Sequence, residues 1–520
     1  MKSFHHVKMT MGPVPFILVG VLLLPVTIHA GMKMIRWTQV GCLSAAIQVS
    51  LMGAVETGLT EETRGRIRTD RGVYPEPALA RLPSAGGKFN DPVFGTQIMR
   101  ATDTRDYGAP GCGTFYNQWP TFNSDNTRIL IRCGSSGDML IKAFDPIAFT
   151  LGATLRKTPT VKGTSLTWEG AMWSQTDPDL IFVHANGYSP DYSASGMKLY
   201  SYRPSINSFT LLKDFAPSLA PGQPDYLWEM HVAQDEIFTF MHKRAKSETN
   251  PIFFIVWKRS TNKVLYHLKV DSSFDMNNCN PDKSGRYVYC GPNQPSRDRK
   301  IFDLETGRVQ TLSWNSNDDP VAHGDLGDGT LIGRGSFSGT YTKRKLSDVH
   351  HITGVLFDNK DANGKKDWSN DGHTSAYADN EEWVLLGLYD DPGVTELRME
   401  TNAYENELIQ ISMTDPNKIR RLAHHRSVID NKTDTSGYWA TPKPTISRDG
   451  RFISFTSNWG NSGRYDLFIA KVDPLPRLAR LSQTRPTVSS GLVRQKRVIP
   501  MRPVSSLNTE SKIQIHAQDP

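Results

Sequence analysis

Four places in the chain hold side chains able to do chemistry: Trp168-Glu169, Glu229-Met230-His231, His323-Gly324-Asp325 and His373. A fifth, Leu422-Ala423-His424-His425-Arg426-Ser427, contributes two adjacent histidines. Imidazoles completed by a carboxylate are a ligand set for a divalent metal, here manganese, calcium or zinc. The expected ligands are His323, His373, His424, His425 and Asp325. The same imidazoles suit a second role, that of a general base beside an arginine that binds an acidic sugar. For that role His323 and His373 are the candidate bases, and Arg334, Arg426 and Trp168 the candidate substrate-binding residues. Arg244 is a further basic residue that could face the histidines. A histidine taken singly is more often a hydrogen-bonded structural group, so the expectation rests on convergence. No nucleophile elbow, H-E-x-x-H or phosphate-binding loop is present, which argues against the hydrolase and nucleotide-binding classes that use them.

Groups so far apart in sequence converge only if the chain returns them to one rim. The stretch Tyr438 to Val472 shows how. It reads as strand, Ser447-Arg448-Asp449-Gly450 turn, strand, Gly/Asn-rich loop, strand, which is three-quarters of a propeller blade. Related units recur at the spacing of propeller blades. They run from Trp119, from Trp168, from Met230, from Phe274 with its turn Asp282 to Gly285, from His323 and from His373. With the closing stretch, seven are countable. The lone strand Thr96 to Met99 has no hairpin partner and is expected to pair with Tyr465 to Ala470, closing the last blade. The first strand of each blade lines the central channel, so residues at blade openings share one mouth.

The fold class is therefore all-β, a seven-bladed β-propeller closed by an N-terminal strand. The expected layout is a signal segment over 1–55, a linker over 56–90, the propeller over 91–473 and a basic disordered tail over 474–520. The chain of 520 residues has a net charge of +7. Between Pro474 and Leu507 stand seven Lys/Arg and no acid, so the tail accounts for the excess and the body is near neutral. A nucleic-acid partner is not indicated.

Two apolar runs, Pro13 to Ala30 and Gln39 to Val55, each follow basic residues. The second reads as a secretory signal cut near Ala54, and a pair of membrane anchors is the alternative. Secretion or a periplasmic location follows, with no stable span in the mature protein. Cys112 with Cys133, and Cys279 with Cys290, fit local disulfides in that setting. Asn359 to Gly364 opens like a calcium loop, but Asn359 and Asn370 depart from the pattern, and a surface loop is expected. Asn431-Lys432-Thr433 is a glycosylation sequon.

His323-Gly324-Asp325, Gly372-His373-Thr374-Ser375, Asn406-Glu407-Leu408, Arg421 to Ser427, Ser447 to Gly450 and Thr456 to Gly460 stand in this order. Together they resemble exported TolB-like propellers close to the oligogalacturonate lyases, over roughly residues 91 to 472. That resemblance implies a polysaccharide lyase acting on a uronate-containing glycan by β-elimination. A histidine-bound divalent metal in the channel mouth would assist the reaction. The family's paired metal ligands are separated by one residue, whereas His424 and His425 are adjacent. The alternative is a non-catalytic TolB-like propeller that binds a glycan or envelope protein at the same mouth. The expected partner is an acidic polysaccharide or oligosaccharide, bound by a monomer.

Overall fold

The first hairpin turns of blades one, four and seven are built by one repeated hydrogen bond. A polar side chain accepts from the backbone N–H five residues on: Asn123 from Arg128 at 3.0 Å, Asp282 from Tyr287 at 2.8 Å, Ser447 from Phe452 at 3.0 Å. In two of these turns a glycine takes the left-handed position, Gly285 at φ 70 and Gly450 at φ 76. The computed structural model describes residues 68–473 except 77, 79–80, 135–136, 162–163, 166–167, 185–195, 245–251, 272–274, 293–295, 359–369, 391–402 and 434. The proposed signal segment, the basic tail and most of the calcium-like loop lie outside the described residues.

Seven antiparallel sheets follow in a ring, as the sequence predicts. Their innermost strands are Cys112–Gly113, Ala171–Trp173, Asp225–Ala233, Asn278–Pro281, Val321–Leu326, Asn370–Ser375 and Thr445–Ile446, which open blades one to seven. Among the described residues the one α-helix is a single turn, Ala216–Leu219. Buried side chains pack between blades rather than within them. Phe182 and Tyr200 of blade two join Leu130 of blade one and Phe238 of blade three. Phe452 and Ile469 of blade seven meet Phe122 and Ile131 of blade one, so the apolar contacts run round the whole circle. Burying each of these large side chains is worth about 1.5–3 kcal/mol.

Closure occurs as expected, with more chain than expected. Gln97–Arg100 pairs antiparallel with Asp466–Lys471, the register setting Ile98 opposite Ala470 and Met99 opposite Ile469. A fifth strand, Lys88–Asn90, adds outside it, within the stretch read from sequence as linker. The carboxylate of Asp91 accepts from the backbone N–H groups of Val93, Phe94 and His424. Earlier residues dock on blade six, where Arg421 donates to Gly72 O at 2.5 Å and its guanidinium lies 4.6 Å from the Tyr74 ring centre.

Cys112–Cys133 and Cys279–Cys290 are both disulfide-bonded and join the first two strands of blades one and four. Reduction is expected to lower stability by about 2–4 kcal/mol per bond. Thermal denaturation with and without reductant checks this; equal midpoints would show that neither bond supports the fold.

Candidate functional site

Blade five carries a β-bulge in its innermost strand, where the register slips between Ala322 and Asp325. His323 sits in that bulge at φ 47, a left-handed conformation that a non-glycine residue adopts only under local constraint. The bulge re-aims its imidazole toward blade six. There Asp371 and His373, two residues apart on the regular strand Asn370–Ser375, point to the same face.

The two histidine rings stack, with centroids 4.7 Å apart and planes at 12°. His323 Nδ1 lies 3.3 Å from Asp371 Oδ1, and Arg334 Nη1 donates to the same oxygen at 3.4 Å. Below, His373 is 1% exposed, and its Nε2 is 3.0 Å from the Tyr116 hydroxyl. Tyr116 in turn stacks on Tyr438, with ring centres 6.4 Å apart. Lys443 donates to Tyr438 O and Thr441 Oγ1 and lies 3.7 Å from the Tyr438 ring centre. The buried guanidinium of Arg132 lies 3.3 Å from the Trp439 ring centre. Blades one, five, six and seven thus supply one continuous cluster. His323, at 38% side-chain exposure, and Tyr438, at 51%, form its solvent face.

The charges sort the two histidines into different states. Burial pulls His323 down, but the Asp371 carboxylate outweighs it and holds the imidazole above its ordinary value. Burial and then the neighbouring His323 push His373 well below the ordinary range, so it stays neutral. Burial alone would raise Asp371, yet His323 and Arg334 keep it below a normal carboxylate. Burial also raises Tyr116 and lowers Lys443. It follows that Asp371→Asn should lower the pKa of His323. In the wild type the stabilisation from charged His323 is full below its unfolded value and is lost as pH rises through the raised one. NMR titration of the His323 ring protons checks this; an unshifted midpoint in the variant would contradict the pairing.

The remaining expected site residues stand elsewhere. His424 Nε2 meets Tyr74 O at 2.9 Å, and its Nδ1 is 3.7 Å from Asp91. His425 bonds Leu388 O at 2.9 Å through Nε2 and accepts from Ser427 N through Nδ1. Both are buried, one anchoring the N-terminal segment and the other the strand of blade six. Asp325 spends its carboxylate on the backbone N–H groups of Leu326 and Ala376. Arg426 is 3% exposed, near Asp91 and the Trp459 ring, and Arg244 pairs with Asp225. Trp168 lies in the 3-10 turn Trp168–Gly170, beside Glu169 in the chain. Of the five expected metal ligands, the structure brings together His323 and His373 alone.

That pair does not fit a divalent ion as it stands. Imidazole lone pairs lie in the ring planes, so two stacked rings send them side by side rather than to one point. His323 Nδ1 and His373 Nε2 are already committed to Asp371 and Tyr116, and Arg334 adds a cation to the same locus. Among the described residues no group of three or more His, Cys, Asp or Glu could hold a metal ion.

No protein-family model matches the chain, and no curated protein does. Solved structures do match. An oligogalacturonate lyase from Vibrio parahaemolyticus aligns with a TM-score of 0.51 and 12% identity, over 75% of this chain and 99% of that one. An oligogalacturonate lyase in complex with manganese aligns at 0.53 and 12%, over 76% and 98%. The likeness is one of fold. The manganese belongs to that protein; this chain's own residues at the mouth are those described above.

Proposed function

We propose that the mouth is a polysaccharide lyase site that cleaves a uronate-containing glycan by β-elimination. The observation that carries this reading is the Tyr116 hydroxyl seated 3.0 Å from Nε2 of a buried histidine, beside His323 and Arg334, two cations that share the Asp371 carboxylate. His323 and Arg334 receive the uronate carboxylate. Neutralising that charge acidifies the C5 proton. The Tyr116 oxygen takes this proton while passing its own to Nε2 of neutral His373. The C5 electron pair forms the C4–C5 double bond and expels the glycosidic oxygen from C4. The proton held by the Tyr116–His373 pair then returns through Tyr438 to the leaving oxygen, so no proton is gained or lost. His373, being buried, acts through Tyr116 rather than on substrate, and His323 binds rather than abstracts. No step runs through a metal.

The two disulfides and the apolar N-terminal runs support secretion or a periplasmic location, where a glycan is met. The test is incubation with a panel of uronate polysaccharides while following the ultraviolet absorbance of the unsaturated product. Absorbance should grow with at least one polymer. Saturable binding with no such product would support the non-catalytic glycan-binding alternative instead.

A further inference from the structure

We propose that the exposed ring of Tyr438 is the platform on which the departing sugar stacks. The group linked to O4 of the uronate is then a pyranose ring rather than a small substituent. This rests on the lyase reading of the same mouth.

Tyr438-Trp439-Ala440 forms a 3-10 turn ahead of Thr445–Ile446, the innermost strand of blade seven. Tyr438 is the most exposed aromatic side chain among the described residues, at 51%. An exposed side chain is ordinarily free to change rotamer, yet this one is held from several sides. Trp439 meets it edge to face, with ring centres 4.9 Å apart and planes at 77°, and the Arg132 guanidinium lies 3.3 Å from the Trp439 ring centre. Lys443 Nζ lies 3.7 Å from the Tyr438 ring centre. Lys443 is 1% exposed and stands at φ 36, a left-handed conformation that a non-glycine residue adopts only under local constraint. Its amine donates to Tyr438 O, and the Thr441 hydroxyl donates to the same oxygen at 2.8 Å. Burying an amine carries a desolvation cost, and here its hydrogen bonds go to fixing the turn that carries the ring. Tyr116, 6.4 Å away between ring centres at 21°, is offset, so half of Tyr438 stays open to solvent.

A rigid, open aromatic ring suits a pyranose. The sugar presents a face of C–H groups that gains by leaving water against the ring, while its hydroxyls stay hydrated at the rim. Tyrosine supplies such area at low entropy cost, the more so when its rotamer is already fixed. Its place in the mouth selects which sugar it carries. His323 and Arg334, which share Asp371, take the carboxylate of the uronate. The Tyr438 hydroxyl returns the proton to the oxygen that leaves C4, and that oxygen stays with the departing sugar. The ring behind this hydroxyl therefore lies under the departing sugar, across the cleaved bond from the uronate. The hydroxyl serves the chemistry and the ring serves binding, two roles that substitution separates.

The experiment measures binding by calorimetry in the Tyr116→Phe protein, so that ligand is not consumed, with Tyr438 kept, changed to Phe or changed to Leu. The two probes are digalacturonate, which has a pyranose at O4, and 4-O-methyl galacturonate, which has none. Thermal midpoints confirm that each variant is folded. Tyr438→Phe should bind digalacturonate within about twofold of the parent, and Tyr438→Leu should lose about tenfold, the scale of an aromatic anchor. On 4-O-methyl galacturonate the two variants should bind alike. The difference between the two probes isolates the contact of ring with departing sugar. Equal digalacturonate affinity in Tyr438→Phe and Tyr438→Leu, or an equal loss on both probes in Tyr438→Leu, would overturn the platform. So would the absence of binding to either probe. The assay for unsaturated product, run on protein with Tyr116 intact, separates this proposal from the lyase reading. Ring-dependent binding without product keeps the platform and removes the lyase, and product with ring-independent binding does the reverse.

Discussion

Replacing Tyr116 with phenylalanine should abolish most turnover and leave the fold intact. The ring keeps its edge contact with His373, at 4.9 Å between centroids, and its stacking on Tyr438. What goes is the hydroxyl that, on the proposed mechanism, links the buried imidazole to the substrate. Positioned proton transfer contributes typically about a hundred- to ten-thousandfold, and a loss of that size in kcat is expected. KM should change little, because His323 and Arg334 still hold the carboxylate. His373→Gln should act in the same direction through Tyr116. A Tyr116→Phe protein with full kcat would remove the hydroxyl from the chemistry. Steady-state kinetics on any polymer the wild type cleaves gives the answer.

Deleting residues 88–100 should prevent cooperative folding altogether. The deletion strips both outer strands from blade seven, exposing the edge of Asp466–Lys471. It removes Ile98 and Met99, each 0% exposed and worth about 1.5–3 kcal/mol. It also removes Arg100, which donates to Asp466 Oδ2 at 2.6 Å in a buried pair, and breaking such a pair costs about 3–5 kcal/mol. Domain stabilities are about 5–15 kcal/mol in all, so little remains. Soluble yield and thermal unfolding of the deletion protein read this out, and a cooperative transition near the wild-type midpoint would refute it.

The contact of Asp91 with His424, which holds the N-terminal segment, also sets a pH window. Burial would raise Asp91, but His424 and backbone donors keep it below 3.8; burial would lower His424, but Asp91 keeps it above 6.5. The depressed carboxylate stabilises above 3.8 and loses this as pH falls through its folded value. The raised imidazole stabilises below 6.5 and loses this as pH rises through its own. Closure is therefore firmest between those two values.

The propeller was legible because its turns, strand spacing and lone N-terminal strand each have a local cause. Ser447 to Gly450 must turn wherever it stands, and an unpaired strand such as Gln97–Arg100 needs an edge. Lys88–Asn90 was missed because three residues flanked by Gly and Pro carry no period. At the site, His323 and His373 were found from blade openings. Asp371 was overlooked although it lies two residues before His373, on the same face of one strand. The Arg421 to Ser427 run holds the N-terminal segment through Arg421 and His424, and the strand of blade six through His425. Nothing in the spacing distinguishes a histidine that faces the channel from one that faces a backbone carbonyl. Tyr116 and Lys443 sit in loops and Tyr438 in the short 3-10 turn Tyr438–Ala440, none with periodicity, and only the ring brings them together. The bulge that aims His323 is likewise set by pairing with the second strand, not by the residue itself.

The most direct test of the central claim is the chemical nature of the cleaved end. Wild-type protein is incubated with a uronate polysaccharide, and the products are analysed by mass and NMR. Elimination at the Tyr116–His373 mouth leaves a C4–C5 double bond on the new non-reducing uronate, one water lighter than a hydrolytic fragment. The account expects that end group in wild-type digests and its near absence with Tyr116→Phe. Saturated ends, or unsaturated ends made equally well by the variant, would contradict it.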